Sequence, residues 1–211
     1  MTTSAAPTFD AVLRAATKAW FVDSAGRSRP LDPLAWHARE IPGDDGLLAR
    51  TYGSTLDVGC GPGRLTAALT EVGRVVLGID VSEAAIRSTR RRGGRAILRD
   101  VFAPLPLEGR WHSVLLADGN IGIAGEPTRL LRRCADLLAP GGQVLAELDP
   151  PGVASWSGEV RVRVGDTPDS PPLRWAYVGA DDIAHLASST GLKVRSTWTE
   201  GGRWFASLTT R

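Results

Sequence analysis

The residues with the clearest chemical meaning lie in one run, residues 56–64, which reads Leu-Asp-Val-Gly-Cys-Gly-Pro-Gly-Arg. An apolar strand ends at Asp57 and a glycine turn then opens a helix, the general layout of a nucleotide-binding loop. The glycines Gly59, Gly61 and Gly63 stand two apart, whereas a dinucleotide loop has the spacing G-x-G-x-x-G. A carboxylate here repels a pyrophosphate and attracts an ammonium or a sulfonium. The run therefore predicts a site for a cationic, nucleotide-like ligand.

Four more aspartates end or closely follow predicted strands, namely Asp80, Asp100, Asp118 and Asp149. In an open parallel sheet, ligands bind outside the carboxyl ends of the strands, so we expect all five carboxylates to converge on one edge. Carboxylates gathered in this way repel one another unless a cation lies among them. We expect a cationic cofactor to supply this positive charge. Asp80 ends the second strand, where a carboxylate can accept two hydrogen bonds from a ribose diol.

Alternating strands and helices position these residues. The pattern predicts helices after Ser82 and Glu126, which implies a parallel sheet with helices on both faces. A closing hairpin turns at Gly201-Gly202. The predicted strands of the parallel sheet are 55–58, 74–80, 96–99, 113–117 and 143–148. The later strands are two exposed-edge strands at 160–164 and 173–177, and the hairpin strands at 192–199 and 203–209.

The N-terminal part stands apart from this alternation. Apolar residues at helical spacing predict one amphipathic helix there, on which lie Phe9, Val12, Leu13, Ala16 and Trp20. With 211 residues the chain has the size of one domain. Within a single domain, 1–211, we expect an N-terminal helical cap (1–50), a cofactor-binding core (51–149), an insertion (150–178) and a C-terminal helix with hairpin (179–211).

Composition excludes several classes of function. The net charge of +2 gives no argument for a nucleic-acid partner. No apolar stretch is long enough to cross a membrane, and no secretory signal is visible, so a cytoplasmic location is expected. The two cysteines are too few for a disulfide framework, and Cys134 lies in a helical apolar stripe that predicts a core thiol. No metal-ligand motif is present.

The run at 56–64 resembles the first motif of the class I S-adenosylmethionine-dependent methyltransferases, and the block from Val114 to Glu147 is typical of their small-molecule members. The resemblance covers residues 45–210. It implies an α/β fold with a doubly wound, mostly parallel seven-stranded sheet in the order 3-2-1-4-5-7-6, ending in an antiparallel hairpin. It also implies transfer of a methyl group from S-adenosylmethionine, leaving S-adenosylhomocysteine, to an O, N or C nucleophile of a small molecule.

Site residues follow from the same resemblance. The acidic residue Asp80 would bind the ribose. Asp100 and the amide of Val101 would bind the adenine, and the backbone of the first motif would approach the methionine moiety. Alternatively, Asp57 would be a structural cap on a tight turn, and Asp100 would be a solvated aspartate in a loop. The full predicted cofactor set is Asp57, Gly59, Cys60, Gly61, Gly63, Asp80, Val81, Asp100, Val101, Asp118 and Gly119.

Methyl transfer from a sulfonium needs mainly alignment and exclusion of water, and a base only when the nucleophile is protonated. The candidates for such assistance are His37, Asp118 and Asn120. His37 follows Trp36 in the cap and would line the pocket as a general base; a loop histidine is the alternative. Trp175 and Tyr177, two apart on a strand, could wall an apolar substrate pocket or serve in packing.

Two other functions fit parts of the pattern. A nicotinamide-dependent oxidoreductase shares the acidic residue at Asp80 but is disfavoured by Asp57 and by the closing hairpin. A non-catalytic S-adenosylmethionine-binding regulatory protein would keep the whole cofactor site. The Asp149-Pro150-Pro151 run matches a motif of nucleic-acid methyltransferases, but it follows the fifth strand instead of the fourth and lacks the aromatic residue. We interpret that match as coincidental.

Overall fold

Helices separate most of the strands between residues 55 and 148, as the sequence predicts. The computed structural model describes residues 5–15, 17–167 and 169–210, so Ala16 of the predicted helix lies outside the described residues. The strands in that part of the chain are β1 (Ala19–Asp23), β2 (Ser28–Leu31), β3 (Thr55–Val58), β4 (Val76–Asp80), β5 (Ala96–Leu98), β6 (Trp111–Leu116), β7 (Leu138–Leu148), β8 (Trp156–Val164), β9 (Leu173–Tyr177), β10 (Leu192–Glu200) and β11 (Arg203–Thr210). The α-helices are α1 (Ala6–Ala15), α2 (Pro33–His37), α3 (Asp44–Ala49), α4 (Arg64–Glu71), α5 (Glu83–Arg91), α6 (Pro127–Leu137) and α7 (Ile183–Ser188).

Seven strands form the main sheet, in the order β5-β4-β3-β6-β7-β11-β10. The first five of these run parallel to one another, and β11 and β10 are antiparallel to their neighbours. Counted along the chain within this sheet, the order is 3-2-1-4-5-7-6. The predicted fold class is therefore confirmed. The parallel strands all end at one edge, which brings the residues that follow them together.

Both faces of the main sheet are buried, which suits the apolar character of its central strands. On β6, Val114 packs in the core cluster that contains Leu130 of α6, while its neighbour Leu115 packs with Leu65 of α4 on the opposite face. Cys134 is fully buried in the α6 cluster, and burial raises the pKa of its thiol to about 12. The predicted core thiol agrees with this position.

A second sheet departs from the sequence prediction. Its order is β2-β1-β8-β9, with all pairs antiparallel, so the segment predicted as a purely helical cap contributes two strands. Strand β8 lies between β1 and β9 and is not an exposed edge. The reason is long-range pairing: Phe21 of β1 lies opposite Val162, about two thirds of the chain away.

The helix expected to run from Phe9 to Trp20 is wrong at its C-terminal end. Helix α1 ends at Ala15, and Trp20 lies in β1, opposite Arg163. Along β1, Ala19 and Phe21 are buried while the residues between and after them are half-exposed, which is the two-residue period of a strand. None of the helices in the described residues has the length and apolar character needed to cross a bilayer.

Candidate functional site

A cavity of about 680 Å³ lies at the carboxyl edge of the parallel strands. The ends of β3, β4 and β6 and the loops that follow them line one side of it. Helix α1 and the second sheet line the other side, through residues such as Phe9 and Trp175. Its volume falls within the range of sites for small molecules and cofactors.

The glycine loop after β3 is fixed against the neighbouring strand. The amides of Gly59 and Cys60 both donate to the carbonyl of Ile79, at 2.8 and 3.0 Å. Gly63 has a φ of +93°, and a Cβ there would lie 2.7 Å from the Cα of Thr89, so only glycine fits. Gly61 has a φ of +52°, and a Cβ there would meet nothing within 4 Å. The backbone of the loop thus turns an open face to the cavity.

Asp80 ends β4 and is tied to this loop. One of its carboxylate oxygens accepts the amide of Gly61 at 3.0 Å, and the other accepts the amide of Ser82 at 2.8 Å. Burial raises the pKa of the carboxyl group, and these amide hydrogen bonds oppose the shift. A carboxylate oxygen has more than one lone pair, so each can still accept a hydrogen bond from a ligand hydroxyl.

Asp57 is the penultimate residue of β3 and is almost completely buried, at 2% exposure. The hydroxyl of Thr66 donates to it at 2.7 Å. Burial raises the pKa of Asp57 to about 6, with Asp118 and Asp80 raising it as well, while the bond from Thr66 and the charge of Arg64 lower it. A cation in the cavity would favour the ionised form of this carboxyl group.

The remaining predicted cofactor residues also reach the cavity. Val81 lines it beside Asp80, and Asp100 and Val101 line it after β5. The carboxylate of Asp100 accepts the amide of Phe102 at 2.9 Å, which shapes the loop. Cys60 lines the cavity too, but burial raises the pKa of its thiol, which therefore stays protonated.

Asp118 follows β6 with a φ of +54° and lies in a network of buried ion pairs. Its carboxylate accepts from Arg64 at 2.6 Å and from Arg203 at 3.2 Å. Arg203 also binds Glu147 at 2.7 Å and Asp44 at 2.9 Å, and Arg64 contacts Asp44. We call these five residues, Asp44, Arg64, Asp118, Glu147 and Arg203, the ion network.

The ion network corrects the expectation that a cofactor alone balances the carboxylates at this edge. Arg64 and Arg203 balance Asp118, and Arg29 of β2 binds both oxygens of Asp149, at 2.7 and 2.8 Å. Asp57 and Asp80 are left without such an arginine partner among the described residues. Arg64 stands in the first-motif run, but no sequence signal identified the ion network, because its other four residues lie on α3, β7, β11 and the loop after β6.

The three candidate assisting residues are placed differently from one another. Asp118 and Asn120 line the cavity. The amide nitrogen of Asn120 donates to the carbonyls of Val58 and Gly59, both at 2.9 Å, so this side chain clamps the glycine loop. The ring of His37 instead lies 3.1 Å from the carbonyl of Leu13, and Trp36, not His37, is among the cavity-lining residues. The expectation that His37 lines the pocket is wrong, because its ring is held against α1.

Comparison with known proteins agrees with this geometry. Residues 55–142 match a family model described as a methyltransferase domain. A crystal structure of a SAM-dependent methyltransferase from Bacteroides fragilis, in complex with S-adenosyl-L-homocysteine, superposes with a TM-score of 0.77 at 22% identity, over 96% of this chain and 94% of that chain. The match over residues 55–142 supports the predicted class I methyltransferase family, and the solved structure shares the fold of this chain.

Two further relatives are similar to parts of the methyltransferase domain. The ubiquinone biosynthesis O-methyltransferase of Bordetella avium is 31% identical over 96 residues, which is 42% of this chain and 39% of that protein. The match thus spans about two fifths of that curated relative's length. The 1,6-didemethyltoxoflavin-N1-methyltransferase of Burkholderia thailandensis, solved with 1,6-didemethyltoxoflavin and S-adenosylhomocysteine, has a TM-score of 0.58 at 17% identity, over 79% of this chain and 76% of that chain.

Proposed function

We propose that this protein transfers the methyl group of S-adenosylmethionine to a small-molecule acceptor. One observation carries the proposal: Asp57 and Asp80 lie at the carboxyl ends of the adjacent parallel strands β3 and β4, beside the glycine loop, and all three line one cavity. The amide of Gly61 joins the loop to Asp80. A loop of this kind next to unpaired carboxylates suits a cofactor that combines a ribose with positive charge.

The residues present fit that cofactor. Asp80 would hold the ribose hydroxyls through the lone pairs left free beside its two amide bonds. The backbone of the glycine loop, open at Gly61, would hold the methionine moiety with Asp57 beside it. Gly119 extends this wall, with a φ of +80° and nothing within 4 Å of the position that a Cβ would take. Val81, Asp100 and Val101 would surround the adenine. When bound, S-adenosylmethionine supplies an activated methyl group on a sulfonium.

The contribution of the chain itself is alignment and charge. Asp57 and Asp80 lie in a buried setting, where a carboxylate attracts a cation more strongly than it does in water. The ion network and the amide of Asn120 hold the loop after β6 against the glycine loop, which fixes the position of both walls. Holding the reactants in line can lower the barrier by about 7–11 kcal/mol.

A general base is not required by this proposal. Both oxygens of Asp118 accept bonds from Arg64, so the carboxylate is engaged within the chain, although burial raises the pKa of this group. His37 lies against α1. We propose that Asp118 and Asn120 position the loop and that the acceptor brings its own nucleophile. The small-molecule class is supported by the partly enclosed cavity and by the bound acceptor of the toxoflavin enzyme. A cytoplasmic location, the single domain and the lack of a nucleic-acid partner remain predictions.

Calorimetric titration with S-adenosylhomocysteine and with NADH tests the proposal. We expect the wild-type protein to bind S-adenosylhomocysteine and not NADH, and Asp80→Ala to weaken binding at least about 100-fold, because a charged hydrogen-bonding group and the tie to Gly61 are lost together. Asp136→Ala, which changes an exposed aspartate on α6, is the matched control and should bind as the wild type does. NADH binding, or equal affinity in Asp80→Ala, would overturn the assignment. Turnover of labelled S-adenosylmethionine then separates an enzyme from a binding protein.

A further inference from the structure

The side of the cavity opposite the main sheet is built from aromatic rings. We call Phe9, Phe21, Trp175 and Tyr177 the aromatic wall; all four line the cavity. The ring centroids of Phe21 and Trp175 are 5.0 Å apart, those of Phe9 and Trp175 are 5.8 Å apart, and those of Phe21 and Tyr177 are 6.4 Å apart. The wall is therefore a continuous group of rings on α1, β1 and β9.

Packing within the second sheet accounts for part of this group. Phe21 and Trp175 are buried together with Val160 and Val162 of β8, as core residues would be. Phe9 and Tyr177 are only half-buried, although they border the same cluster. Both residues line the cavity. Packing alone thus leaves an aromatic surface facing the place where an acceptor must approach.

Tyr177 gives the more specific observation. Its hydroxyl is buried and has no hydrogen-bond partner among the described residues. A buried hydroxyl normally has a hydrogen-bond partner, so we expect a group other than the described part of the chain to supply one. Burial raises the pKa of Tyr177 to about 12, so the group stays a neutral phenol that can donate a hydrogen bond.

The charges next to Tyr177 are already balanced. The guanidinium of Arg29 lies 3.8 Å from the centroid of the Tyr177 ring, and both of its terminal nitrogens donate to Asp149. A charged acceptor group placed against Tyr177 would be desolvated and would compete with the Arg29–Asp149 pair, which is unfavourable. A flat aromatic acceptor would instead stack on, or meet edge to face, the rings of the wall.

We propose that the aromatic wall binds the methyl acceptor, and that the acceptor is a neutral, planar aromatic molecule whose polar group pairs with the hydroxyl of Tyr177. This inference rests on the proposed methyl-transfer function and names its substrate class. It makes Tyr177 a specificity-determining residue that acts on acceptor affinity and not on the cofactor.

The test uses the protein saturated with S-adenosylhomocysteine and three probes. 2-Naphthol is neutral and planar, 2-naphthoate has the same rings with a negative charge, and 2-decalol has the hydroxyl without planarity. We expect 2-naphthol to bind at least about tenfold more tightly than the other two. Tyr177→Phe should weaken 2-naphthol binding about three- to tenfold, the usual effect of one hydrogen bond, and leave S-adenosylhomocysteine affinity unchanged.

The chain offers a matched control. Its only other tyrosine, Tyr52, is 37% exposed and donates to the carbonyl of Gly141, and Tyr52→Phe should change neither affinity. Equal binding of 2-decalol, tighter binding of 2-naphthoate, or no effect of Tyr177→Phe would overturn the inference. Binding of S-adenosylhomocysteine without binding of 2-naphthol overturns it as well, but leaves the proposed function intact. Failure to bind S-adenosylhomocysteine overturns the proposed function itself, and the inference with it.

Discussion

Asp57 is expected to lower the stability of the protein at neutral pH, and Asp57→Asn measures by how much. The carboxyl group is buried, and its pKa is raised from 3.8 to about 6. A shift of one pKa unit corresponds to about 1.4 kcal/mol, so a shift of roughly two units corresponds to about 3 kcal/mol. The folded protein bears this cost whenever the group is ionised.

The sign of the pH dependence follows from the direction of the shift. Because the folded-state pKa lies above the unfolded value, the folded protein binds the proton more tightly than the unfolded chain does. The stability that Asp57 contributes is fully present below about pH 4 and is lost as the pH rises through about 6. Asparagine has no charge, and its amide oxygen can still accept the hydrogen bond from Thr66.

We therefore expect Asp57→Asn to raise the free energy of unfolding by up to about 3 kcal/mol near pH 7.5 and by far less near pH 4.5. Urea unfolding followed by tryptophan fluorescence at both pH values gives the two differences. Asp136→Asn, at an exposed aspartate, is the control and should change neither value appreciably. A protein destabilised by Asp57→Asn near pH 7.5, or an equal effect at both pH values, would contradict this expectation.

The same variant links stability to function. Removing the carboxylate removes an attraction for the ammonium group of the cofactor, so we expect Asp57→Asn to weaken S-adenosylhomocysteine binding at least about tenfold at neutral pH. A stabilised protein that binds less well would mean that the buried charge is kept for the ligand. A variant that gains stability and binds normally would make Asp57 a structural residue.

Two further substitutions test how the site is held. Arg203→Ala leaves Glu147 without its two hydrogen bonds from that arginine. We expect the free energy of unfolding to fall by about 3 kcal/mol. This value is at the lower end of the range for a broken buried pair, because 13% of the Arg203 side chain is exposed. Arg195→Ala, on the exposed face of β10, is its control in urea unfolding, and equal effects of the two would contradict the ion network. Asp10→Ala removes a carboxylate of α1 that accepts hydrogen bonds from the amide of Ala84, at 3.0 Å, and from the hydroxyl of Ser82. We expect the free energy of unfolding to fall by about 1 kcal/mol and calorimetry to show weaker S-adenosylhomocysteine binding. Unchanged affinity in Asp10→Ala would show that α1 does not help to close the cavity.

The cofactor side of the site was predictable because its signals are local. The spacing of Gly59, Gly61 and Gly63 and the aspartate that ends each strand are read directly from short runs of sequence. The parallel topology then places Asp57 and Asp80 at one edge without further information. The structure agrees, since Asp57 pairs with Gly78 in register and Asp80 lies two residues beyond.

The acceptor side was not predictable in the same way, because it depends on pairing between distant segments. Strand β1 lies opposite residues 160–164, and no local periodicity reveals that partner. The helical spacing of Phe9 and Trp20 even favoured the wrong element for Trp20. The ion network was missed for a related reason: Arg64 and Arg203 are ordinary residues in sequence, and only the closing hairpin brings Arg203 next to Glu147.

A crystal structure of the protein with S-adenosylhomocysteine would locate the cofactor in the cavity. We expect density along the glycine loop, with the ribose hydroxyls on the carboxylate of Asp80 and the adenine beside Asp100 and Val101. Density for the ligand elsewhere, or a ribose that makes no contact with Asp80, would contradict this placement.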